Sequence, residues 1–123
     1  MIPNRIFIDS SFFKAVIDDK DEFHHKATLI LSELKKLKPE LVTSNFILDE
    51  SYTLIRVKCN LELAVKFRKF LSEGLDLFRV ERITITDEIL SWSWFLKSWK
   101  GLSFTDCTSF VVMERLGLDK VAT

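Results

Sequence analysis

Short apolar runs alternate along this chain with longer amphipathic ones, and that alternation restricts the fold more than any other feature. Arg5-Ile6-Phe7-Ile8 is a β-prone run stopped by Asp9-Ser10-Ser11, residues that favour turns and helix caps, which reads as a buried strand running into a helix. The stretch from Asp21 to Leu37 is helical, with acids at its front and Lys35, Lys36 and Lys38 at its back, the charge order that suits a helix dipole. Pro39 closes it, Leu41-Val42-Thr43 is a second strand, and Ser44 can cap a helix over Asn45 to Lys58. Asn60 opens another amphipathic run with Leu63, Phe67, Phe70 and Leu71 at helical spacing, ended by Gly74. Leu77-Phe78-Arg79-Val80 is strand-like, and Thr86-Asp87 opens a helix carrying Ile89, Trp92, Phe95, Leu96 and Trp99. Thr105 to Leu116 is again helical, Gly117 stops it, and Lys120-Val121-Ala122-Thr123 begins a last strand.

Strands this short, separated by helices this long, imply a parallel sheet with helices on both faces, because a parallel crossover needs a connection of about that length. The expected architecture is a three-layer α/β/α sandwich with a short central parallel sheet. At 123 residues, residues 1–123 form one domain. The chain is 47% hydrophobic and 29% charged with three Gly and two Pro, which excludes disordered and fibrous classes. Eighteen basic and eighteen acidic residues cancel, so no whole-molecule field draws it to nucleic acid or an anionic membrane, and any RNA binding has to come from a local patch. Cys59 and Cys107 form no C-x-x-C pair, and no secretory leader or long apolar run occurs, so the chain is expected to be cytoplasmic and reduced.

In open parallel sheets ligands sit at the carboxyl ends of the strands. Asp9 directly follows the first strand; alone, it would be read as the cap of the next helix. Glu50 has Phe46, Ile47, Leu54 and Val57 at i−4, i−3, i+4 and i+7, so an ionisable group lies on an apolar stripe, whereas Asp49 projects with Thr53 and Arg56 on the polar face. A carboxylate on such a stripe needs a partner or a metal, because burying it unpaired is costly. Asp106 has Phe110 and Met113 at i+4 and i+7, yet Ser103-Phe104-Thr105-Asp106 also fits a capping box. One inward carboxylate in each of three strand-helix steps, all expected at one edge of the sheet, forms an all-oxygen set. Such a set suits Mg²⁺ or Mn²⁺ and points to phosphate chemistry.

Other residues have plainer readings. His24 and His25 point in different directions on a helix and take surface or packing roles, and Asp18-Asp19-Lys20-Asp21-Glu22 lacks the glycine of a calcium loop and reads as a solvated turn. Cys107 is a small buried residue. Trp92, Phe95, Leu96 and Trp99 form one stripe expected in the core; Trp94 lies off it and can meet a second subunit or another protein. Lys66, Arg68 and Lys69, with Arg56 and Lys58, can offer local phosphate contacts.

At these residues the sequence resembles the PIN-domain family, specifically the VapC-type toxin ribonucleases of bacterial and archaeal toxin-antitoxin pairs. Ile6-Phe7-Ile8-Asp9-Ser10-Ser11 resembles the opening strand with its first acid, and Thr43-Ser44-Asn45-Phe46-Ile47-Leu48-Asp49-Glu50 the second motif. Leu102-Ser103-Phe104-Thr105-Asp106-Cys107 resembles the third, and Arg115-Leu116-Gly117 through Val121-Ala122-Thr123 the approach to the last strand. The resemblance implies that Asp9, Glu50 and Asp106 ligate Mg²⁺ or Mn²⁺ and act catalytically, with Ser11 supporting the first acid by a hydrogen bond. It implies hydrolysis of RNA by a metal-activated water to leave a 5′-phosphate, on a tRNA or rRNA substrate. It also implies a homodimer and neutralisation by an antitoxin peptide in a groove between helices. Members usually carry a fourth acid at the end of the final strand, where this sequence has Thr123. Asp119 precedes that strand and is expected at the opposite edge, so the domain's carboxyl-terminal end is expected to be missing. Two alternatives share the fold: a weak or inactive binding module, and an RNA-processing nuclease outside any toxin pair.

Overall fold

The computed structural model describes residues 5–74, 76–97 and 101–123, and among these the chain forms four strands and six helices. The first half runs β1 (Arg5–Ile8), α1 (Ser10–Ile17), α2 (His24–Leu37), β2 (Glu40–Ser44), α3 (Asn45–Lys58) and α4 (Leu61–Glu73). The second half runs β3 (Phe78–Glu81), α5 (Ile85–Leu96), α6 (Phe104–Leu116) and β4 (Val121–Ala122). The four strands form one parallel sheet in the order β3-β2-β1-β4, inside the α/β/α sandwich that the alternating pattern implies. Val42 pairs with Phe7 on one side and Arg79 on the other, and Phe7 pairs in turn with Val121, so β1 and β2 are central strands.

Central parallel strands are covered on both faces, which explains their unbroken apolar character: Phe7, Ile8 and Val42 are fully buried. Around them pack Phe13 of α1, Ile47 and Ile55 of α3 and Phe67 of α4, with the Phe13 and Phe67 rings 5.2 Å apart. Buried Thr43 donates its hydroxyl to the Ile8 carbonyl at 3.0 Å, tying the ends of β1 and β2 together.

Helix boundaries follow local chemistry. Ser44 accepts the Ile47 N–H as the α3 cap and Asn60 accepts the Leu63 N–H as the α4 cap. Gly117, at φ 68°, ends α6 in the left-handed conformation that glycine adopts without steric cost. The α5 helix starts earlier than the Thr86-Asp87 expectation, because Thr84 is its cap and Asp87 completes a capping box.

Three expectations are corrected. The stripe through Trp92, Phe95 and Leu96 is not core: Trp92 and Leu96 are 53% and 68% exposed, and the buried residues of α5 are Asp87 and Ser91. Trp99 lies outside the described residues. Asp87 turns inward because Arg115 of α6 donates two hydrogen bonds to its carboxylate, at 3.0 and 3.1 Å, while Arg115 also pairs with Glu81. On α3 the buried stripe is Ile47-Ser51-Ile55, with Val57 72% exposed, so Glu50 stands on the flank of the apolar face. The 18–22 turn is not wholly solvated: Lys14 bridges Asp18 at 3.2 Å and Asp21 at 2.8 Å, and Cys59 donates to Asp18. His24 has the packing role expected of it, with Nδ1 2.7 Å from the Ala15 carbonyl, and Cys107 is fully buried.

Candidate active site

The chain steps from β1 to β2 to β3 on one side of β1, then returns through α5 and α6 to place β4 on its other side. Connections leaving in opposite directions open a crevice at the carboxyl ends of β1 and β4, the place where open α/β sheets bind ligands. Asp9 stands at that point. Its N–H donates to the Ala122 carbonyl at 3.0 Å, so β4 ends alongside it. Asp9 occupies the N-cap position of α1 without a side-chain cap hydrogen bond, so the simple capping reading does not account for it.

A cleft of about 110 Å³ at this crevice is lined by Asp9, Asp106, Phe110 and Thr123. Asp106 arrives from the first turn of α6, where the capping box is real: Ser103 Oγ accepts the Asp106 N–H, and Asp106 Oδ2 accepts the Ser103 N–H, both at 3.0 Å. The cap fixes the side chain's rotamer and engages one oxygen. Cap and site residue are therefore compatible roles for Asp106.

Glu50 reaches the same edge from α3. Ser10 Oγ donates to Glu50 Oε2 at 2.7 Å, across forty positions of sequence. Ser11, one residue on, donates to Asp9 Oδ2 at 3.3 Å, the contact that the family resemblance implies. Glu50 lines a groove adjoining the cleft, together with Thr105, the residue before Asp106.

The three carboxylates sense one another. Burial pushes the Asp9 carboxyl above its ordinary value and the charge of Asp106 pushes it further, against the Ser10 and Ser11 hydrogen bonds that favour the anion. Burial likewise raises Glu50, opposed by the Ser10 hydrogen bond and reinforced by the charges of Asp106, Asp9 and Asp49. Such a set invites a cation. Among the described residues, however, no three acidic, histidine or cysteine side chains are already drawn to metal-coordinating distance. The fit to a divalent ion rests on donor chemistry: hard oxygens only, mutually repelling and partly desolvated, which suits Mg²⁺ or Mn²⁺ and not zinc.

The sequence points to Asp9, Glu50, Asp106 and Ser11 as candidates, and the structure places all four toward one edge of the sheet. Sequence reasoning missed Ser10, whose partner lies too far along the chain for any local pattern to reveal. Asp119 precedes β4 and so lies toward the amino end, while Thr123 lines the cleft with Asp9.

The PIN domain family profile matches residues 6–123. The 23S rRNA-specific endonuclease VapC20, from two strains of Mycobacterium tuberculosis, is 32% identical over 114 residues, covering 92% of this chain and 83% of the relative. The crystal structure of the Mycobacterium tuberculosis protein, described as a sarcin-ricin loop cleaving toxin, superposes with a TM-score of 0.80 at 31% identity, covering 94% of this chain and 86% of that one. Matched by the family profile over residues 6–123 and similar to VapC20 in both sequence and fold, the chain belongs to the PIN-domain family, among the VapC-type toxin ribonucleases.

Proposed function

We propose that Asp9, Glu50 and Asp106 jointly hold Mg²⁺ or Mn²⁺ at the carboxyl edge of the sheet and hydrolyse an RNA phosphodiester there. One observation carries the reading: Glu50 of α3 is tied by Ser10 to the start of α1, beside the cleft that Asp9 and Asp106 share. Held by these three carboxylates, a divalent ion would supply Lewis-acid chemistry, polarising the scissile phosphate and lowering the pKa of water. The residues themselves divide the work. Asp9 and Glu50 supply charge from rigid elements, Ser10 and Ser11 orient those carboxylates, and the Ser103 cap leaves Asp106 Oδ1 free to face Asp9.

The relatives cut the sarcin-ricin loop of 23S rRNA, and we take that loop as the substrate to try first. The antitoxin of the pair is a cytoplasmic partner whose peptide fits the groove of about 530 Å³ bordered by Phe12, Ala15, Phe23, Ala27 and Ile30; co-purification with the neighbouring gene's product tests this. The exposed apolar residues of α5, including Ile85, Ile89 and Trp92, support a homodimer, which light scattering checks. Residues 1–123 act as one domain.

The direct test incubates the wild type, Asp9→Asn and Glu50→Gln with a 23S rRNA fragment and Mn²⁺. The wild type is expected to cut and to leave a 5′-phosphate, and each variant to lose at least about 100-fold in rate, the scale on which removing a charged site group acts. Equal cutting by all three would remove the reading.

A further inference from the structure

The proposed site accounts for the scissile phosphate but not for how the RNA strand is held on either side of it. From Glu50 a groove of about 430 Å³ runs along one face of α3, lined by Thr53, Leu54, Val57 and Lys58, with Thr105 of α6 on its rim. These positions recur at helical spacing on one side of α3, and the eight helical steps from Glu50 to Lys58 carry the groove about 12 Å along the helix. Asp49 and Glu50 occupy its metal end, and Lys58 its far end.

Two features mark this groove as a path for nucleic acid. The first is charge. Lys58 at the far end is exposed, and among the described residues no carboxylate lies within ion-pair distance of it. In a chain with eighteen charges of each sign, a cation at the far end of a groove that begins at Glu50 provides a local phosphate contact that the overall field cannot. The second is the floor. Val57 is 72% exposed and Leu54 half-buried, an apolar strip on which a ribose or an unstacked base can lie, and the Thr53 hydroxyl beside it can bond a 2′-hydroxyl.

We infer that this α3 groove binds the single-stranded RNA flanking the scissile bond, with Lys58 holding a neighbouring backbone phosphate. The inference rests on the nuclease reading, and its test separates the two. In an Asp9→Asn background, so that the probe stays intact, binding of a fluorescein-labelled sarcin-ricin hairpin is followed by anisotropy across a salt series. Lys58→Ala is expected to weaken binding roughly three- to tenfold and to lower the slope of log affinity against log salt by about one, with Lys58→Arg close to the parent. In the wild-type background Lys58→Ala raises KM and leaves kcat unchanged. Lys35→Ala, which removes an equal charge beside Pro39 and Glu40 at the amino end of β2, is the control and is expected to match the parent. Lys58→Ala indistinguishable from Lys35→Ala would overturn the inference, as would a groove whose only occupant is a peptide. Absence of metal-dependent cutting by the wild type, with binding that still falls in Lys58→Ala, would instead overturn the nuclease reading alone.

Discussion

Two adjacent hydroxyls in the first turn of α1 serve two carboxylates from different parts of the chain. Ser10 holds Glu50 at 2.7 Å and Ser11 holds Asp9 at 3.3 Å. The shorter bond also links α1 to α3, and Ser10 is 7% exposed, so water is a poor substitute for it. Ser10→Ala is expected to reduce RNA cleavage about 10- to 100-fold, the range seen when a group that orients a metal ligand is removed, and Ser10→Thr to retain most of the rate. Single-turnover kinetics on the same rRNA fragment checks this, and an unchanged Ser10→Ala rate would reduce the contact to packing. At this scale the sequence was informative where chemistry was local. The placement of Asp9 after a strand and the S-x-x-D signature of Asp106 both lie within a few residues, whereas the Ser10-Glu50 bond depends on two helices meeting and has no local signature.

Helix α5 is attached by an ion pair as well as by aromatic contacts. Its buried side chains are Asp87 and Ser91; Trp94 and Phe95 meet Phe110 and Phe104 of α6 edge to face, and Asp87 pairs with Arg115, which is itself braced by Glu81 and thereby linked to Arg79 and Glu40 across β2 and β3. Periodicity correctly predicted a helix there but assigned it the wrong face, because a helix rich in Trp, Ile and Leu offers several stripes and spacing alone does not say which one meets α6. Burial raises the Asp87 carboxyl, but the Thr84 hydrogen bonds and the Arg115 guanidinium outweigh it, so Asp87 titrates below its ordinary 3.8. A depressed carboxyl stabilises the fold above its unfolded value, and that contribution is lost as pH falls through the folded one. Asp87→Asn is therefore expected to cost about 1.5–3 kcal/mol in urea unfolding at pH 7, the usual worth of hydrogen bonds to a charged group. The gap between the two proteins should stay constant down to about pH 5 and close below pH 4. A gap independent of pH would show that the ion pair contributes nothing through its charge.

The whole molecule derives its site from topology. Because the strand order reverses at β1, the carboxyl ends of β1 and β4 open together, and helices α3 and α6 each bring one acid to that edge. The alternation of short strands and long helices was enough to reach a parallel sheet and to place Asp9 at the carboxyl end of its first strand. It was not enough to show that Glu50 flanks the core instead of entering it, since the buried stripe of α3 runs through Ser51, a polar residue that periodicity of apolar positions does not mark. The account stands on the carboxylates of α1's cap, α3 and α6 cooperating in one ion-binding site. Mn²⁺ titration of the whole protein by electron paramagnetic resonance tests this most directly. The account predicts saturable binding by the wild type, weakened in Ser10→Ala and lost in both Glu50→Gln and Asp106→Asn, with all four proteins folded. Equal Mn²⁺ binding by the wild type and Glu50→Gln, or none by a correctly folded wild type, would contradict it.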